Sequence, residues 1–308
     1  ANYNKLAEFQ LLKTDGRFSH LKLNDYQICQ MSGFDYFRSF YKGGLNLYND
    51  EYIGKIIKRQ GFSIDLNSSY PTVMYKEKLP TYLISLNDKH SIANYDYNNN
   101  DIMIFFTMTI ENANKYILSK IESKVIRNAI VKYYNSKDGL VYYNSILLRL
   151  LSKITKQDFK NLPVESDAVF ECQHFGARDV IARNYFIKTQ GKMSNKLDCD
   201  INTIDPLNIK MTNEPKPPEY NFSKEMIEAA KVLLNGIYGV PALRIHFDIF
   251  KRVGNDFENI KNGFTNKERN IVFSAGVTAF AFHNLLEPLK YLTPSEIDEY
   301  FWYADTDS

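Results

Sequence analysis

The chain has 308 residues, of which 44% are hydrophobic and 24% are charged, and its net charge is +2. This length and composition allow a sizeable core in one large domain or in two to three smaller ones. The small net charge excludes a broadly basic nucleic-acid binder, so any DNA site has to be a local basic cleft. Three scattered cysteines form no metal or disulfide pattern, and no apolar run is long enough to span a membrane, so a cytoplasmic protein is expected.

The first acidic candidate lies in a predicted strand. Residues 62–66 alternate between apolar and polar side chains, which predicts a strand that contains Asp65. Pro71 disfavours a helical conformation of Tyr70, so we expect Tyr70 to be extended and the strand to end there. A carboxylate on a packed strand needs a partner. The alternative interpretation is a solvent-facing aspartate at a strand turn.

The middle of the chain predicts a mixed region of strands and helices. Residues 101–110 read as a strand, and the second half of residues 140–153 reads as a helix. Residues 178–196 are basic and contain aromatic side chains. A solvated face explains such a run, and a nucleic-acid or triphosphate contact through Lys188 and Lys192 is the alternative.

The clearest helix follows a proline-rich linker at residues 212–220. Ser223 suits its N-cap, and Gly239 suits its end. Lys231, Asn235 and Tyr238 follow at i, i+4 and i+7, so they share one helix face. The lysine could bind a phosphate, the asparagine a sugar or base edge, and the tyrosine a base ring. An ordinary solvated helix face would show the same pattern.

The last residues place two carboxylates after an apolar run. A helix is predicted over residues 270–289, and the aromatic residues 300–303 read as a buried strand that leads to Asp305 and Asp307. Two carboxylates this close are costly to hold without a cation, and magnesium prefers oxygen ligands. If the strand of Asp65 neighbours this one, the carboxylates could hold two metals and support in-line phosphoryl transfer.

Three segments, in order, resemble the three polymerase motifs of family B DNA polymerases. Asp65–Pro71 resembles D-x-x-S-x-Y-P, Lys231–Gly239 resembles K-x-x-x-N-S-x-Y-G, and Tyr303–Ser308 resembles Y-x-D-T-D-S. Residues 41–44 resemble the Y-x-G-G/A segment that links exonuclease and polymerase modules. The long stretch between the first two motifs resembles the terminal-protein region of protein-primed polymerases, which serve phages and linear plasmids.

The resemblance implies a role for each matching residue. Catalysis would depend on Asp65, Asp305 and Asp307. Two Mg²⁺ ions, for which Mn²⁺ can substitute, would be held by Asp65, Asp305 and the carbonyl of Leu66. The nucleotide pocket would consist of Tyr70 beneath the deoxyribose, Lys231 on the triphosphate, and Asn235 and Tyr238 at the base pair. DNA would contact Tyr41, Gly43 and Gly44.

Two positions depart from the family pattern. Gly236 replaces the serine of the second motif, which removes a hydroxyl near the pocket. Phe282 stands where a segment that contacts the template ends in arginine, which puts that contact in question.

The expected fold is α/β, of the α+β kind, with an antiparallel palm sheet, helical fingers and an α/β insertion. The expected divisions are residues 1–80 (linker and first part of the palm), 81–180 (terminal-protein-region insertion), 181–242 (fingers), 243–270 (second small insertion) and 271–308 (second part of the palm).

The expected function is magnesium-dependent DNA synthesis during viral or plasmid replication, in the host bacterial cytoplasm for a phage protein. Deoxynucleotides would be added to a primer or to a terminal-protein hydroxyl, so template and primer DNA, deoxynucleotides and terminal protein are the expected partners. No exonuclease motif is recognised before residue 34, and the sequence stops at the third motif. A second chain with exonuclease and thumb is therefore a further expected partner, and this chain alone is expected to be a poor polymerase.

Two other functions stay open at the level of sequence. A nucleotide-sugar glycosyltransferase could use Asp305-Thr306-Asp307 to hold a metal, although it would leave Asp65 and the Lys231 helix unexplained. A non-catalytic replication scaffold could bind terminal protein or DNA.

Overall fold

A computed structural model gives the structure of the protein. It describes residues 37–44, 46–61, 63, 66, 68–91, 96–134, 139–189, 222–242, 245–253, 256–265 and 271–305. The strands are β1 Asn46–Tyr48, β2 Lys78–Ser91, β3 Ile102–Thr109, β4 Leu140–Asn144, β5 Pro163–His174, β6 Ile245–Val253, β7 Asp256–Thr265 and β8 Tyr303–Asp305. The α-helices are α1 Ser69–Lys76, α2 Ile110–Tyr116, α3 Lys124–Tyr134, α4 Ser145–Thr155, α5 Arg178–Lys188, α6 Lys224–Gly239, α7 Ile271–Leu286 and α8 Pro294–Tyr300. None of the helices in these ranges is long and apolar enough to cross a membrane.

The largest sheet has four antiparallel strands in the order β2-β5-β3-β4. Strand β3 confirms the prediction for residues 101–110, and its interior residues are buried on both faces because helices cover the sheet on either side. The helix predicted in the second half of residues 140–153 is α4. It begins after Asn144, whose side-chain oxygen accepts a hydrogen bond from the Leu147 amide at 2.9 Å.

Helix α7 forms the centre of the core. It is apolar on all sides and almost completely buried, which is typical of a helix that crosses the interior of a large domain. The cluster on one side of β3 contains most of α7 together with α1, and the cluster on the other side contains α3 and α4. The predicted helix over residues 270–289 is thus confirmed, with α7 ending at Leu286 and a 3₁₀ turn following at Glu287–Tyr291.

Two short pairings complete the sheet structure. Strands β6 and β7 form an antiparallel hairpin within residues 243–270. Strands β1 and β8 form a ribbon that joins the beginning and the end of the described chain. This ribbon positions Asp305, one of the predicted catalytic carboxylates.

Two predictions about the acidic segments were wrong. Tyr70 is helical, because Ser68 turns the chain at φ 50° directly into α1 and Pro71 lies in the first turn, where its missing N–H is not needed. The aromatic residues 300–303 are not one buried strand, since Tyr300 ends α8 and Tyr303 is 53% exposed at the start of the three-residue strand β8. Of the strand predicted over residues 62–66, the described residues 63 and 66 belong to no strand.

Candidate functional site

Asp305 is fixed by backbone pairing in the β1–β8 ribbon. It lies opposite Asn46, and the next pair inward joins Leu47 to Ala304, both of which are buried. Asp305 is itself half-buried and accepts a hydrogen bond from the Tyr303 hydroxyl, which raises the pKa of that phenol. The carboxylate therefore lies on a short, well-anchored strand with its polar end accessible.

Asn49 extends this anchorage beyond the ribbon. Its backbone amide donates to the Trp302 carbonyl at 3.0 Å. Its side-chain amide donates to the carbonyls of Asp298 at 2.8 Å and Phe301 at 3.1 Å. Asn49 is only 3% exposed, so these bonds satisfy a buried polar group while they hold the end of α8 against β1. The approach to Asp305 is therefore held by side-chain and main-chain bonds together.

The segment that leads to Asp65 touches the segment that leads to Asp305. A Cβ added to Gly61 would lie 2.4 Å from Cζ3 of Trp302, so the Gly61 backbone lies directly against the indole. Gly61 precedes Asp65 by four residues, and Trp302 precedes Asp305 by three. Asp65 and Asp307 lie outside the described residues, so their distance from Asp305 stays a prediction.

Tyrosines of the first and second candidate motifs meet face to face. The rings of Tyr70 and Tyr238 stack with centroids 4.2 Å apart and an interplanar angle of 27°. Burial and the nearby Tyr41 raise the pKa of Tyr238, against the effect of a hydrogen bond with Tyr70. Ser274 in α7 donates to the Tyr238 carbonyl at 2.5 Å and fixes the end of α6. The structure thus brings together two tyrosines that the resemblance assigns to one nucleotide pocket; their role in nucleotide binding stays a prediction.

The Tyr41–Gly44 segment lies beside the same tyrosines. The Arg38 guanidinium lies 5.2 Å from the centre of the Tyr41 ring and donates to the Ala242 carbonyl, just beyond α6. Gly43 and Gly44 are exposed, and the Gly43 carbonyl accepts a hydrogen bond of 2.7 Å from the Tyr133 hydroxyl. Sequence analysis missed Arg38 and Tyr133 because neither belongs to a motif.

The predicted cationic and amide residues of α6 lie towards solvent. Lys231 pairs with Glu228 at 2.7 Å, and about half of each side chain is exposed. Asn235 is exposed on the same helix. Glu228, and not Asp305, is therefore the carboxylate that Lys231 contacts.

Of the two basic residues predicted in the 178–196 run, Lys188 is described and Lys192 is not. Lys188 ends α5, and its ammonium donates to the Ser68 hydroxyl at 2.5 Å, at the turn that starts α1. This contact places one predicted phosphate- or DNA-binding cation directly beside the first candidate motif.

The two departures from the family pattern have structural explanations. Phe282 is buried and stacks on Tyr133 at 4.7 Å, so this position serves the core and does not face outward. A Cβ at Gly236 would meet only Val240 Cγ2, at an ordinary 3.8 Å, so the serine of the family pattern would fit there.

The described donors suit a hard divalent ion but do not complete a site. The Asp305 carboxylate and the Leu66 carbonyl offer the oxygen ligands that Mg²⁺ prefers. Within the ranges given above, no three His, Cys, Asp or Glu residues gather closely enough to hold a metal. A complete site needs Asp65 or Asp307, which lie outside those ranges.

Comparison with known proteins places the chain among polymerases. Residues 19–202, more than half of the chain, match the sequence model described as DNA polymerase type B, organellar and viral. A search of curated protein sequences finds no match.

Solved structures of Phi29 DNA polymerase have a similar fold. The complex with primer-template DNA and incoming nucleotides superimposes with a TM-score of 0.54 at 18% identity, covering 98% of this chain and 46% of that chain. The complex with single-stranded DNA gives a TM-score of 0.55 at 19% identity, covering 90% and 42%. The predicted α+β fold class is confirmed, and the chain spans less than half the length of these structures.

Proposed function

Because the chain belongs to the organellar and viral type B DNA polymerases, we propose that it carries the centre for DNA-directed deoxynucleotidyl transfer. The contact between Gly61 and Trp302 is the observation that supports this most strongly. It brings the approaches to Asp65 and Asp305 side by side, which an in-line transfer between two metal-binding carboxylates requires.

We propose that Asp65, Asp305 and the carbonyl of Leu66 hold two Mg²⁺ ions, which Mn²⁺ can replace, with Asp307 as a supporting acid. When bound, the ions lower the pKa of the attacking hydroxyl and neutralise the leaving pyrophosphate. The protein contributes the fixed position of Asp305, since the β1–β8 ribbon holds that strand before any ligand binds.

The nucleotide is proposed to lie between the stacked tyrosines and α6. Tyr70, held against Tyr238, would lie beneath the deoxyribose and exclude a 2′-hydroxyl. Lys231 would bind the triphosphate, and Asn235 would contribute to the base-pair pocket. An exposed ion pair such as that of Lys231 with Glu228 is worth only about 0–1 kcal/mol, so exchanging Glu228 for a triphosphate costs little.

DNA is proposed to follow the exposed Gly43 and Gly44 and the basic end of α5, with Tyr41, Lys188 and Lys192 as contacts. The domain divisions are part of the same proposal. Residues 81–180 contain nearly all of the four-stranded sheet and would be the insertion that receives a terminal protein. Residues 181–242 would be the fingers, residues 243–270 a second insertion, and residues 1–80 and 271–308 the palm.

The test is extension of a primed DNA template with deoxynucleotides and Mg²⁺, by this chain alone and together with a chain that supplies thumb and exonuclease. Incorporation that a chelator stops and Mn²⁺ restores is the expected result, and Asp305→Asn should reduce it at least about a hundredfold. A matched reaction with a nucleotide sugar should give no product. DNA binding by the wild-type protein without any incorporation would instead indicate a replication scaffold.

A further inference from the structure

We propose that helix α3 of the insertion is a strut that sets the position of the Asp305 strand relative to the Gly43–Gly44 segment, and that Asp298 and Tyr133 are its two positioning residues. The proposal rests on the proposed function, because it assigns these residues to the same catalytic centre. Asp298 and Tyr133 belong to none of the segments that resemble polymerase motifs.

Asp298 caps the beginning of α3 from a different part of the chain. One carboxylate oxygen, Oδ1, accepts hydrogen bonds from the Ser123 hydroxyl at 2.5 Å and the Val125 amide at 3.0 Å. The other, Oδ2, accepts from the Lys124 amide at 3.0 Å. The Ser123 hydroxyl in turn accepts from the Ile126 amide at 3.2 Å. The first amides of α3, which no helix can satisfy internally, are therefore bound by this carboxylate and by Ser123.

The charge of Asp298 suits this position. Burial alone would raise its pKa, but the hydrogen bonds from Ser123, Val125 and Lys124 outweigh burial and hold the pKa below the ordinary value. A carboxylate at a helix N-terminus also gains from the partial positive charge there. The link between α8 and α3 is therefore a charge-assisted contact and not a loose surface bond.

The helix that carries Asp298 leads directly to Asp305. Helix α8 ends at Tyr300, and β8 begins three residues later. The Asp298 carbonyl also accepts a hydrogen bond from Asn49, the residue that follows β1. Asp298 therefore contacts the insertion through its side chain and Asn49 through its backbone. A shift of α3 would consequently move the approach to Asp305.

The other end of α3 holds the glycine segment. Tyr133 lies one residue before the helix ends, and its hydroxyl donates to the Gly43 carbonyl at 2.7 Å. Its ring stacks on Phe282 at 4.7 Å and packs edge-on against Tyr134 at 5.0 Å. This packing leaves the hydroxyl little freedom to move away from Gly43.

The two contacts are separated by one rigid element. Helix α3 has 11 residues, which corresponds to a length of about 16 Å at 1.5 Å per residue. It joins the approach to a predicted metal ligand at one end to a predicted DNA contact at the other. The insertion would therefore act in ordinary primer extension as well as in protein-primed initiation.

The experiment compares two variants, each of which weakens the contact at one end of helix α3. Asp298→Asn keeps the shape of the side chain but cannot accept hydrogen bonds at both oxygens. Tyr133→Phe keeps the ring stack and removes only the hydroxyl. Glu122→Gln, which removes an exposed charge just before the same helix α3, and Tyr291→Phe, at a tyrosine that is 80% exposed, are matched controls.

Kinetics at a temperature well below unfolding separate positioning from stability. Asp298→Asn should lower kcat for deoxynucleotide incorporation by about tenfold, with primer-template Kd unchanged, because a displacement of about 1 Å that starts far from the reacting atoms can cost on the order of a hundredfold in rate. It should also raise the Mg²⁺ concentration needed for half-maximal rate. Tyr133→Phe should do the reverse, with a primer-template Kd raised several-fold and kcat at saturating DNA within about twofold of wild type.

The outcomes are distinguishable. A wild-type protein that incorporates no deoxynucleotide, either alone or together with a chain that supplies thumb and exonuclease, would defeat the proposed function itself. An active wild-type protein whose two variants keep wild-type kcat, Kd and Mg²⁺ dependence, even with a lower melting temperature, would show that α3 only stabilises the fold. Should one variant fail to fold, the other still tests its own end of the helix.

Discussion

The strand that carries Asp305 and the helix that carries Lys231 are held in opposite ways. The strand pairs with β1 along its whole length. The buried Asn49 side chain donates hydrogen bonds to the carbonyls of Asp298 and Phe301, in the segment that leads to this strand. Helix α6 buries only Ala230 and Leu234. Its Val232 is 71% exposed, and its predicted functional cation has only a surface ion pair.

The contrast fits the two chemical tasks that we propose for these elements, metal binding for Asp305 and nucleotide binding for α6. A metal site tolerates little misplacement, since about 1 Å can cost on the order of a hundredfold in rate, so its ligand belongs on an anchored strand. A nucleotide has to enter and leave, so a helix that closes on it has to be weakly held. Helix α6 packs along α5, and two hydrogen bonds hold the region of its last residues, from Ser274 to the Tyr238 carbonyl and from Arg38 to the Ala242 carbonyl just beyond the helix. We expect closure to pivot at that end.

The largest loss of activity is expected at the contact between Gly61 and Trp302, beside the Asp305 strand. Gly61→Ala would place a methyl group 2.4 Å from the Trp302 ring, so the ring or the backbone has to move. We expect kcat to fall by about a hundredfold if the two approaches separate by about 1 Å. The fluorescence of Trp302, the only tryptophan in the chain, should shift as well. Gly176→Ala, where no atom lies within 4 Å of the added carbon, is the control. Equal kcat and equal Trp302 fluorescence in the two variants would show that the contact between Gly61 and Trp302 does not affect the site.

The weakly held helix should respond mainly in nucleotide affinity. Lys231→Ala should cost about 1–3 kcal/mol of nucleotide binding, or roughly a 5- to 150-fold rise in nucleotide KM, with little loss of folding stability. Stability should be spared because the ion pair with Glu228 is exposed. Lys224→Ala, at the exposed beginning of the same helix, is the matched control. An unchanged KM would remove Lys231 from the site.

The anchored region should also depend on pH. The pKa of Asp298 is held below its ordinary value of 3.8, so its contribution to stability is present at neutral pH and is lost as the pH falls through the lowered value. The free energy of unfolding of Asp298→Asn should therefore lie below that of wild type by about 1 kcal/mol at pH 7, the usual worth of a helix cap. Urea denaturation at several pH values should show this gap closing below about pH 4. A gap that stays constant down to pH 3 would contradict the account.

The smallest effect is expected within α6. Gly236→Ala should raise the free energy of unfolding by about 0.5–1 kcal/mol, since glycine is unfavourable inside a helix and the new methyl group makes only an ordinary contact. Thermal unfolding measures the gain. A loss of stability would mean that the helix needs glycine there for a conformation that the structure does not show.

Local patterns predicted the elements whose signals lie within a few residues of one another. Helix α6 begins after Ser223 and ends at Gly239 as predicted, because the cap, the apolar spacing and the final glycine are all local. Strand β3 and helices α4 and α7 were found for the same reason.

The contacts that assemble the site could not be found in this way. The Tyr133 hydroxyl reaches a carbonyl 90 residues away, and Asp298 caps a helix more than 170 residues earlier. Such partners depend on how distant elements pack. Tyr70 was misassigned because the restriction before proline was given more weight than the tolerance of proline in a first helical turn.

We propose that Asp65 and Asp305 share one metal site, and backbone cleavage by a bound iron ion tests this directly. Fe²⁺ that replaces Mg²⁺ in such a site generates hydroxyl radicals with ascorbate and peroxide, and these cleave the nearby backbone. A shared site should give cuts in two segments, around residue 65 and around residue 305, that excess Mg²⁺ suppresses and that Asp305→Asn abolishes together. Cleavage at only one of the two segments, or cleavage near residue 65 that survives Asp305→Asn, would contradict it.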